Sequence, residues 1–520
     1  MIIRSIERLW YSLVFGSFFL FIVLPIFYTV GDALLPKASN SSLVENLLLI
    51  NNDSFSLLAK SSAIAFSIAF LSTILGVIFG FILFKTNVAF QGFFKIALLI
   101  PLFISPYILA VAWNDFFYLC FGNINLLASY LGVILILTFI YTPLSIVIIG
   151  SAFLNINAQL EEAGEMMTDY LHVIFKITLP LIKPALLTSF VLVFIFSISE
   201  FSVPIFFGVK VFTTEIFTQF SAFYNHSLAI LQSTLLILLC LLLLFSEKAY
   251  LAEAPFLSVQ GGGIRTENNH FNHWRGLNVS LLFIWFLLSV LLPLVVLFIQ
   301  SFDDGTAKFI QAFALLKPTF INSIGLAFAG AMICIVIGFT AAYVAEVKKT
   351  KSLIWLLLFV FATPSTIFGI CLIKFYNRPL LDAIYSSYAI ILLGYSGKFS
   401  FIAAKLIENA IKQIPKSFDE VAQIQGIVLF RRIWMILLPL IMPSIFAAFI
   451  INCIFCIGEL GTTIMVYPPG TEILPIKVFT LMANAPQALI SSMTLIVFSI
   501  TLLLITALYL FFKALPKCQS

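Results

Sequence analysis

Three ionisable side chains stand in stretches that are otherwise apolar: Glu200 in SISEFSVPIFF, Lys398 in GYSGKFS and Glu459 in CIGELGTTIMVYPPG. A charge at the centre of a bilayer costs roughly 2.5–3.5 kcal/mol on insertion scales, and less near an interface. Two carboxylates facing each other across a pathway can receive a hard cation or a cationic organic molecule. They can equally hold gate helices together through hydrogen bonds. Glu459 follows Pro443 by 16 residues, which is about 24 Å of helix at 1.5 Å per residue, toward the outer mouth rather than the midplane. Lys398 lies nearer the middle of its stretch and is expected to face the pathway or to pair with an acid.

Other constellations fail on spacing. GYSGKFS has the Gly-Lys of a phosphate-binding loop, but only two residues separate Gly394 from Gly397, where that loop needs four. His172, His226, His270 and His273 are too scattered for a catalytic or zinc site, and no metal site can be named. Cys453 and Cys456 form a Cys-x-x-Cys without a second pair, inside an apolar run, and read as helix packing. No catalytic residue and no other nucleotide-binding loop is found, so neither catalysis nor a cofactor is assigned to this chain.

The elements that must position these residues are membrane helices. The chain has 520 residues, 62% hydrophobic and 10% charged, too little charge to cover a soluble surface. Apolar runs of about 20 residues recur, each long enough to cross a ~30 Å hydrocarbon core. The alternation of barrel strands is absent. Twelve spans are expected, near 10–30, 61–84, 94–113, 127–151, 185–209 and 227–246, then 277–300, 322–345, 353–374, 387–406, 443–466 and 488–512. The first reads as an anchor rather than a cleaved signal. With the N-terminus inside, basic residues number 19 on inner segments against 8 on outer ones, which favours both termini in the cytosol. That topology accounts for the net charge of +5 without a nucleic-acid partner.

The chain repeats itself. EEAGEMMTDYLHVIFKITLP, Glu161 to Pro180, aligns without a gap on EVAQIQGIVLFRRIWMILLP, Glu420 to Pro439, 259 residues on. The same offset carries Glu200 onto Glu459, and Pro106 meets Pro364 at 258. The halves are residues 1–246 and 276–520, joined by a polar cytosolic linker at 247–275. Both enter the membrane from one side, so they are parallel repeats, which usually surround a shared pathway. Each half carries a polar inner loop, at 155–180 and 411–439. An acidic residue and Ala begin a short helix, Gly426 permits a sharp turn in the second copy, and an amphipathic helix with Arg431 on its wet side stops at Leu-Pro. Such a helix across the inner surface suits docking into a groove of a soluble partner; anchoring the bundle in the lipid interface is the plainer alternative.

The loop resembles the EAA loop of the permease subunits of ATP-binding-cassette importers, whose consensus is Glu-Ala-Ala, three residues, Gly, nine residues, then Ile-x-Leu-Pro. The second copy matches at Glu420, Ala422, Gly426, Ile436, Leu438 and Pro439. The first keeps Glu161, Ala163 and Pro180, but Glu162 replaces the middle Ala and Met167 stands where the Gly belongs. Two fused halves, and the stretch from Gly458 to Met482, look most like the ferric-iron permeases, with thiamine and spermidine/putrescine permeases as relatives. The resemblance implies an all-α polytopic membrane protein of about 12 helices, as two six-helix halves of the type I importer fold, in the bacterial inner membrane. It also implies a cytosolic ATP-binding subunit, in two copies, holding ATP and Mg, and an extracytoplasmic binding protein that delivers the substrate. The alternatives from other classes are a proton-coupled secondary transporter, which gives no reason for two such loops, and a non-transporting scaffold, for which Glu200, Lys398 and Glu459 are needless expense.

Overall fold

The computed structural model describes residues 2–34, 52–122, 127–156, 158–246, 275–303, 305–414, 427, 429–482 and 484–514. Every regular element among them is a helix, the form that satisfies all backbone groups within one segment in lipid. Among the described residues ten helices are long and apolar enough to cross a membrane, and twelve spans result if each of two bent pairs counts as one.

The first repeat opens with α1 (Trp10–Asp32) and α2 (Asn52–Lys85), followed by a pair, α3 (Gln91–Phe103) and α4 (Pro106–Phe121). Then come α5 (Tyr130–Leu154), the short α6 (Ala158–Glu165), α7 (Leu179–Ser199), α8 (Ser202–Phe206), α9 (Phe212–Ser221) and α10 (His226–Ser246). The second repeat follows with α11 (Arg275–Ser301), α12 (Thr306–Val347), and the pair α13 (Ser352–Ala362) and α14 (Ser365–Tyr376). It ends with α15 (Ala389–Lys412), α16 (Leu438–Gly458), α17 (Thr463–Val466), α18 (Leu474–Leu481) and α19 (Gln487–Ala514). The linker expected at 247–275 lies outside the described residues except for Arg275, which opens α11.

Two expectations need correction. The spans at 94–113 and 353–374 are not straight: α3 meets α4 at 98° and α13 meets α14 at 103°. Pro106 and Pro364 stand at these breaks, and the residue before each is extended, Ser105 at ψ 134° and Thr363 at ψ 130°. Proline disfavours the helical state of its predecessor and supplies no N–H. Conversely, Leu-Pro does not stop the helix at Pro180 or Pro439. A widened turn precedes it, Ile174–Thr178 before Leu179 and Ile433–Leu437 before Leu438, and the helix runs on. The same device stands at Phe19–Val23 before Leu24-Pro25 and at Leu287–Leu291 before Leu292-Pro293. One extra residue in the turn removes the clash between the proline ring and the carbonyl four residues back.

Helix α12 has 42 residues, about 63 Å of helix, twice the hydrocarbon thickness. The expected span at 322–345 is therefore only its C-terminal part.

The packing units cut across the repeats. One consists of Met1–Leu48, Phe313–Asn484 and Ile496–Ser520, the other of Leu49–Ala312 and Ala485–Leu495. In the first, α1 lies against α14. The Tyr376 hydroxyl donates to Phe21 O at 2.8 Å, Lys374 pairs with Asp32 at 3.0 Å, and the Arg378 guanidinium covers the Tyr28 ring at 4.3 Å. Its apolar core runs through Phe339, Tyr343, Ile407, Ile433 and Ile441. In the second, α11 lies against α4, and Trp285 packs on Phe79 and Phe139 with ring centroids 5.1 and 5.0 Å apart. Helices α2, α5 and α7 form its centre, around Ile149, Phe153 and Ile182. In each unit, then, the opening span of one repeat lies against the broken span of the other.

This exchange is testable. With the native cysteines replaced, Asp32→Cys with Lys374→Cys should form a disulfide on mild oxidation. After cleavage at a protease site inserted between residues 247 and 275, that disulfide should hold the two fragments together on a gel. Fragments that separate under oxidising conditions would show that α1 is not bound to α14.

Candidate functional site

The first inner loop is a clasp built around Glu161. Glu161 lies in the first turn of α6, where its charge suits the helix N-terminus, but its carboxylate is buried, 3% exposed. It pairs with Lys85, the last residue of α2, at 2.6 Å, and accepts the Thr178 hydroxyl at 2.8 Å from the widened turn ahead of α7. One side chain thus ties the loop to two spans. Ala163 is exposed on the opposite face. Gly164 faces inward, where a Cβ would come within 2.7 Å of Ile177 Cδ1, so a larger residue there would push that methyl aside.

Met167 needs no glycine in its place. The chain turns there through ordinary backbone angles, with Met167 N–H donating to Gly164 O at 3.0 Å and Thr168 N–H at 3.1 Å to the same oxygen. The result is a tip on which Met166 and Met167 are 89% and 90% exposed. Pro180 is exposed just past the widened turn.

In the second loop Glu420, Ala422 and Gly426 lie outside the described residues. Arg431 is exposed, its Nε donating to Met435 Sδ at 3.4 Å, and Pro439 is exposed one turn into the span. The inner end of α15 carries a chain of ion pairs. Lys405 meets Glu408 at 2.9 Å, Glu408 meets Lys412 at 2.8 Å, and Lys412 and Lys349 meet Glu346 at 3.6 and 3.2 Å. Glu408 is fully buried, with two lysines to balance its charge.

Further along the spans, Glu200 and Glu459 occupy matching interruptions. Each follows the last helical residue, Ser199 or Gly458, in an extended conformation, ψ 133° and 119°. Each caps the next short helix: Glu200 Oε1 accepts Ser202 N–H at 2.9 Å, and Glu459 Oε1 accepts Thr462 N–H at 2.6 Å. Their own carbonyls accept the hydroxyls of Thr213 at 2.9 Å and Thr463 at 2.7 Å. Lys398, 7% exposed, donates to Phe361 O at 2.9 Å and Thr363 O at 2.7 Å, the carbonyls stranded where α13 breaks. The Thr462 hydroxyl donates to Ser365 O at 3.1 Å on the other side of the same break. Lys398 and Glu459 therefore converge on one turn, while Glu200 occupies the corresponding turn of the other unit.

Residues 72–252 and 334–517 each match the family described as "Binding-protein-dependent transport system inner membrane component". The chain belongs to this family. It is a multi-pass inner-membrane permease of the ABC type with two fused halves. It is 21% identical over 421 residues to the Fe(3+)-transport system permease protein FbpB 2 of Haemophilus influenzae, covering 80% of this chain and 81% of that one. To the ferric transport system permease protein FbpB of Actinobacillus pleuropneumoniae it is 22% identical, over 78% of this chain and 64% of the relative. A putative 2-aminoethylphosphonate permease, PhnV of Salmonella typhimurium, is 28% identical over 193 residues, 36% of this chain and 72% of that protein.

Sequence reasoning missed several residues of the permease. Asp115 is fully buried on α4, where its carboxylate accepts the Gln487 amide and the Ser491 hydroxyl of α19. Ending the third span at 113 had placed it past the membrane, whereas α4 continues to Phe121. Lys85 carries no sequence signal for its role, which only its 2.6 Å approach to Glu161 in three dimensions shows. Among the described residues no three His, Cys, Asp or Glu side chains gather as a metal site.

Two substitutions test this geometry. Glu161→Ala leaves the Lys85 ammonium buried without its partner, a loss of about 3–5 kcal/mol. The purified permease should melt at a lower temperature, and Glu161→Gln, which still accepts from Thr178, should fall between. Lys398→Met strips the carbonyls at the α13 break of a donor and should destabilise by about 1–3 kcal/mol, with Lys398→Arg closer to the native melting temperature. A Met variant as stable as the native protein would remove Lys398 from this role.

Proposed function

We propose that this chain is the permease of an ATP-driven importer of ferric iron. The observation that carries the reading is the likeness to permeases named for Fe(3+) transport, extending over 80% of this chain and 81% of the first relative. The inner clasp supports the coupling half of the proposal. A loop fixed to α2 and α7 through Glu161, with Met166 and Met167 at its tip, can transmit a push from a cytosolic ATP-binding subunit to two spans at once. Glu420, Ala422, Gly426, Arg431 and Pro439 would do the same in the second half. ATP and Mg belong to that partner subunit, in two copies, and an external binding protein hands over the cargo. Both termini lie in the cytosol. Iron would pass by the interrupted spans where Glu200, Lys398 and Glu459 stand.

Uptake of labelled ferric ion decides this, in cells with and without the chain, with ATP depleted or, separately, with the proton gradient collapsed. Thiamine, spermidine and 2-aminoethylphosphonate are run in parallel. ATP-dependent ferric uptake that requires the chain is the expected result. Uptake that survives ATP depletion and dies with the gradient would overturn the importer. Chain-dependent uptake of one of the other compounds in place of iron would change the cargo and leave the importer standing.

A further inference from the structure

The two interrupted spans are built alike, but their glutamates are not equally satisfied. Glu200 Oε1 accepts both the N–H and the hydroxyl of Ser202, at 2.9 and 2.6 Å, and Oε2 accepts the Tyr141 hydroxyl at 3.2 Å. Glu459 Oε1 accepts Thr462 N–H at 2.6 Å; among the described residues no donor meets Oε2, which is not one of the buried atoms lacking a partner. Glu459 is half-buried.

The difference is written in two substitutions between the repeats. At the offset of 259, Gly461 replaces Ser202 and Ser400 replaces Tyr141. Gly461 has no hydroxyl to offer, and the Ser400 hydroxyl is spent on Ser396 O at 2.6 Å. The glycine is required by the packing of the turn. A Cβ at position 461 would lie 2.7 Å from Ser365 Cβ, at the break between α13 and α14. The turn that carries Glu459 is thus pressed against the broken span and held there by Thr462 on Ser365 O. The nearby ammonium of Lys398 is turned onto the carbonyls of Phe361 and Thr363.

The unpaired Glu459 oxygen is not one of the buried atoms that lack a partner, so it is open to an incoming group rather than sealed in the bundle. The equivalent position shows that this fold can satisfy both oxygens. From this contrast we propose that Glu459, and not Glu200, is the carboxylate that meets the cargo. Its free oxygen takes a hard cation, or the cationic group of a cargo, as it passes the broken span of the second repeat, while Glu200 is a structural cap. A single carboxylate oxygen gives a weak, short-lived contact, which is what passage requires. The assignment rests on the importer reading above, and iron satisfies it without being required by it.

The test compares Glu459→Gln with Glu200→Gln in the assembled importer, scoring membrane abundance, melting temperature and initial uptake at saturating cargo. Glu459→Gln should cut ferric uptake about tenfold or more with abundance and melting temperature unchanged, and Glu459→Asp should recover part of it. Glu200→Gln should lower the melting temperature, with uptake falling no further than the abundance of the folded permease. Native-like uptake by Glu459→Gln, or parallel losses of uptake and stability in both Gln variants, would overturn the assignment. A second readout does not depend on the natural cargo. Terbium(III) added to the purified full chain should give a saturable luminescence through Tyr395, which is in electrostatic contact with Glu459. That signal should be lost in Glu459→Gln and kept in Glu200→Gln. If the native chain takes up no iron but shows this Glu459-dependent signal, the iron reading falls and the cation contact stands. A terbium signal indifferent to Glu459→Gln, or no signal, removes the contact.

Discussion

The structure depends on one constraint: in lipid every backbone N–H and C=O must find a partner within the protein. An unbroken helix meets it automatically, but a pathway needs irregular backbone. At the α13 break and at the turns that follow α7 and α16, side chains take the stranded groups. Lys398 takes two carbonyls at the α13 break, and Thr462 takes a third. Glu200 and Glu459 take the free N–H groups of the short helices that follow them, and Thr213 and Thr463 take the carbonyls of those same glutamates. The charges that looked extravagant in an apolar sequence are largely spent on main chain.

Proline forces the same constraint in two ways, and the outcome depends on the preceding turn. At Pro106 and Pro364 the predecessor is extended and the helix turns by about a right angle. At Pro25, Pro180, Pro293 and Pro439 the preceding turn widens by one residue and the helix continues. The second outcome gives the inner loop its stiffness. Because the helix does not stop at Leu179-Pro180, the turn bearing Thr178 is continuous with the span, and Glu161 clamps the loop to a rod rather than to a hinge.

Much of this was legible in the residues. Apolar run length gave the helical class, and the gapless offset of Glu161 and Glu420 gave the duplication, which the twofold family match repeats. What was not legible is what local pattern does not encode. A proline within an apolar run does not say whether it bends or widens the helix, since that is decided by packing around the break. Asp115 looked peripheral because hydropathy ended its span early, while its partners lie some 370 residues away on α19. The first loop lacks glycine at Met167, and the glycine it does have, Gly164, faces a helix rather than forming the turn. The exchange of α1 and α11 between packing units leaves no mark in a sequence repeat, because both repeats keep the same order of elements.

Duplication starts with two copies of every polar contact, and the contacts that have since diverged separate structure from use. The capping bond from glutamate to the next helix is present in both copies, so it belongs to the fold. The Tyr141 and Ser202 partners are present in one alone, with Ser400 and Gly461 in their places. On the inner side the first repeat carries the buried Lys85–Glu161 pair, and the second repeat carries ion pairs on α15, where Ile146, Ile149 and Phe153 match Lys405, Glu408 and Lys412. The halves therefore share a backbone solution and differ in where they leave charge. On the proposal above, one carboxylate meets the cargo and the other braces the fold, a division of labour that perfect symmetry would forbid.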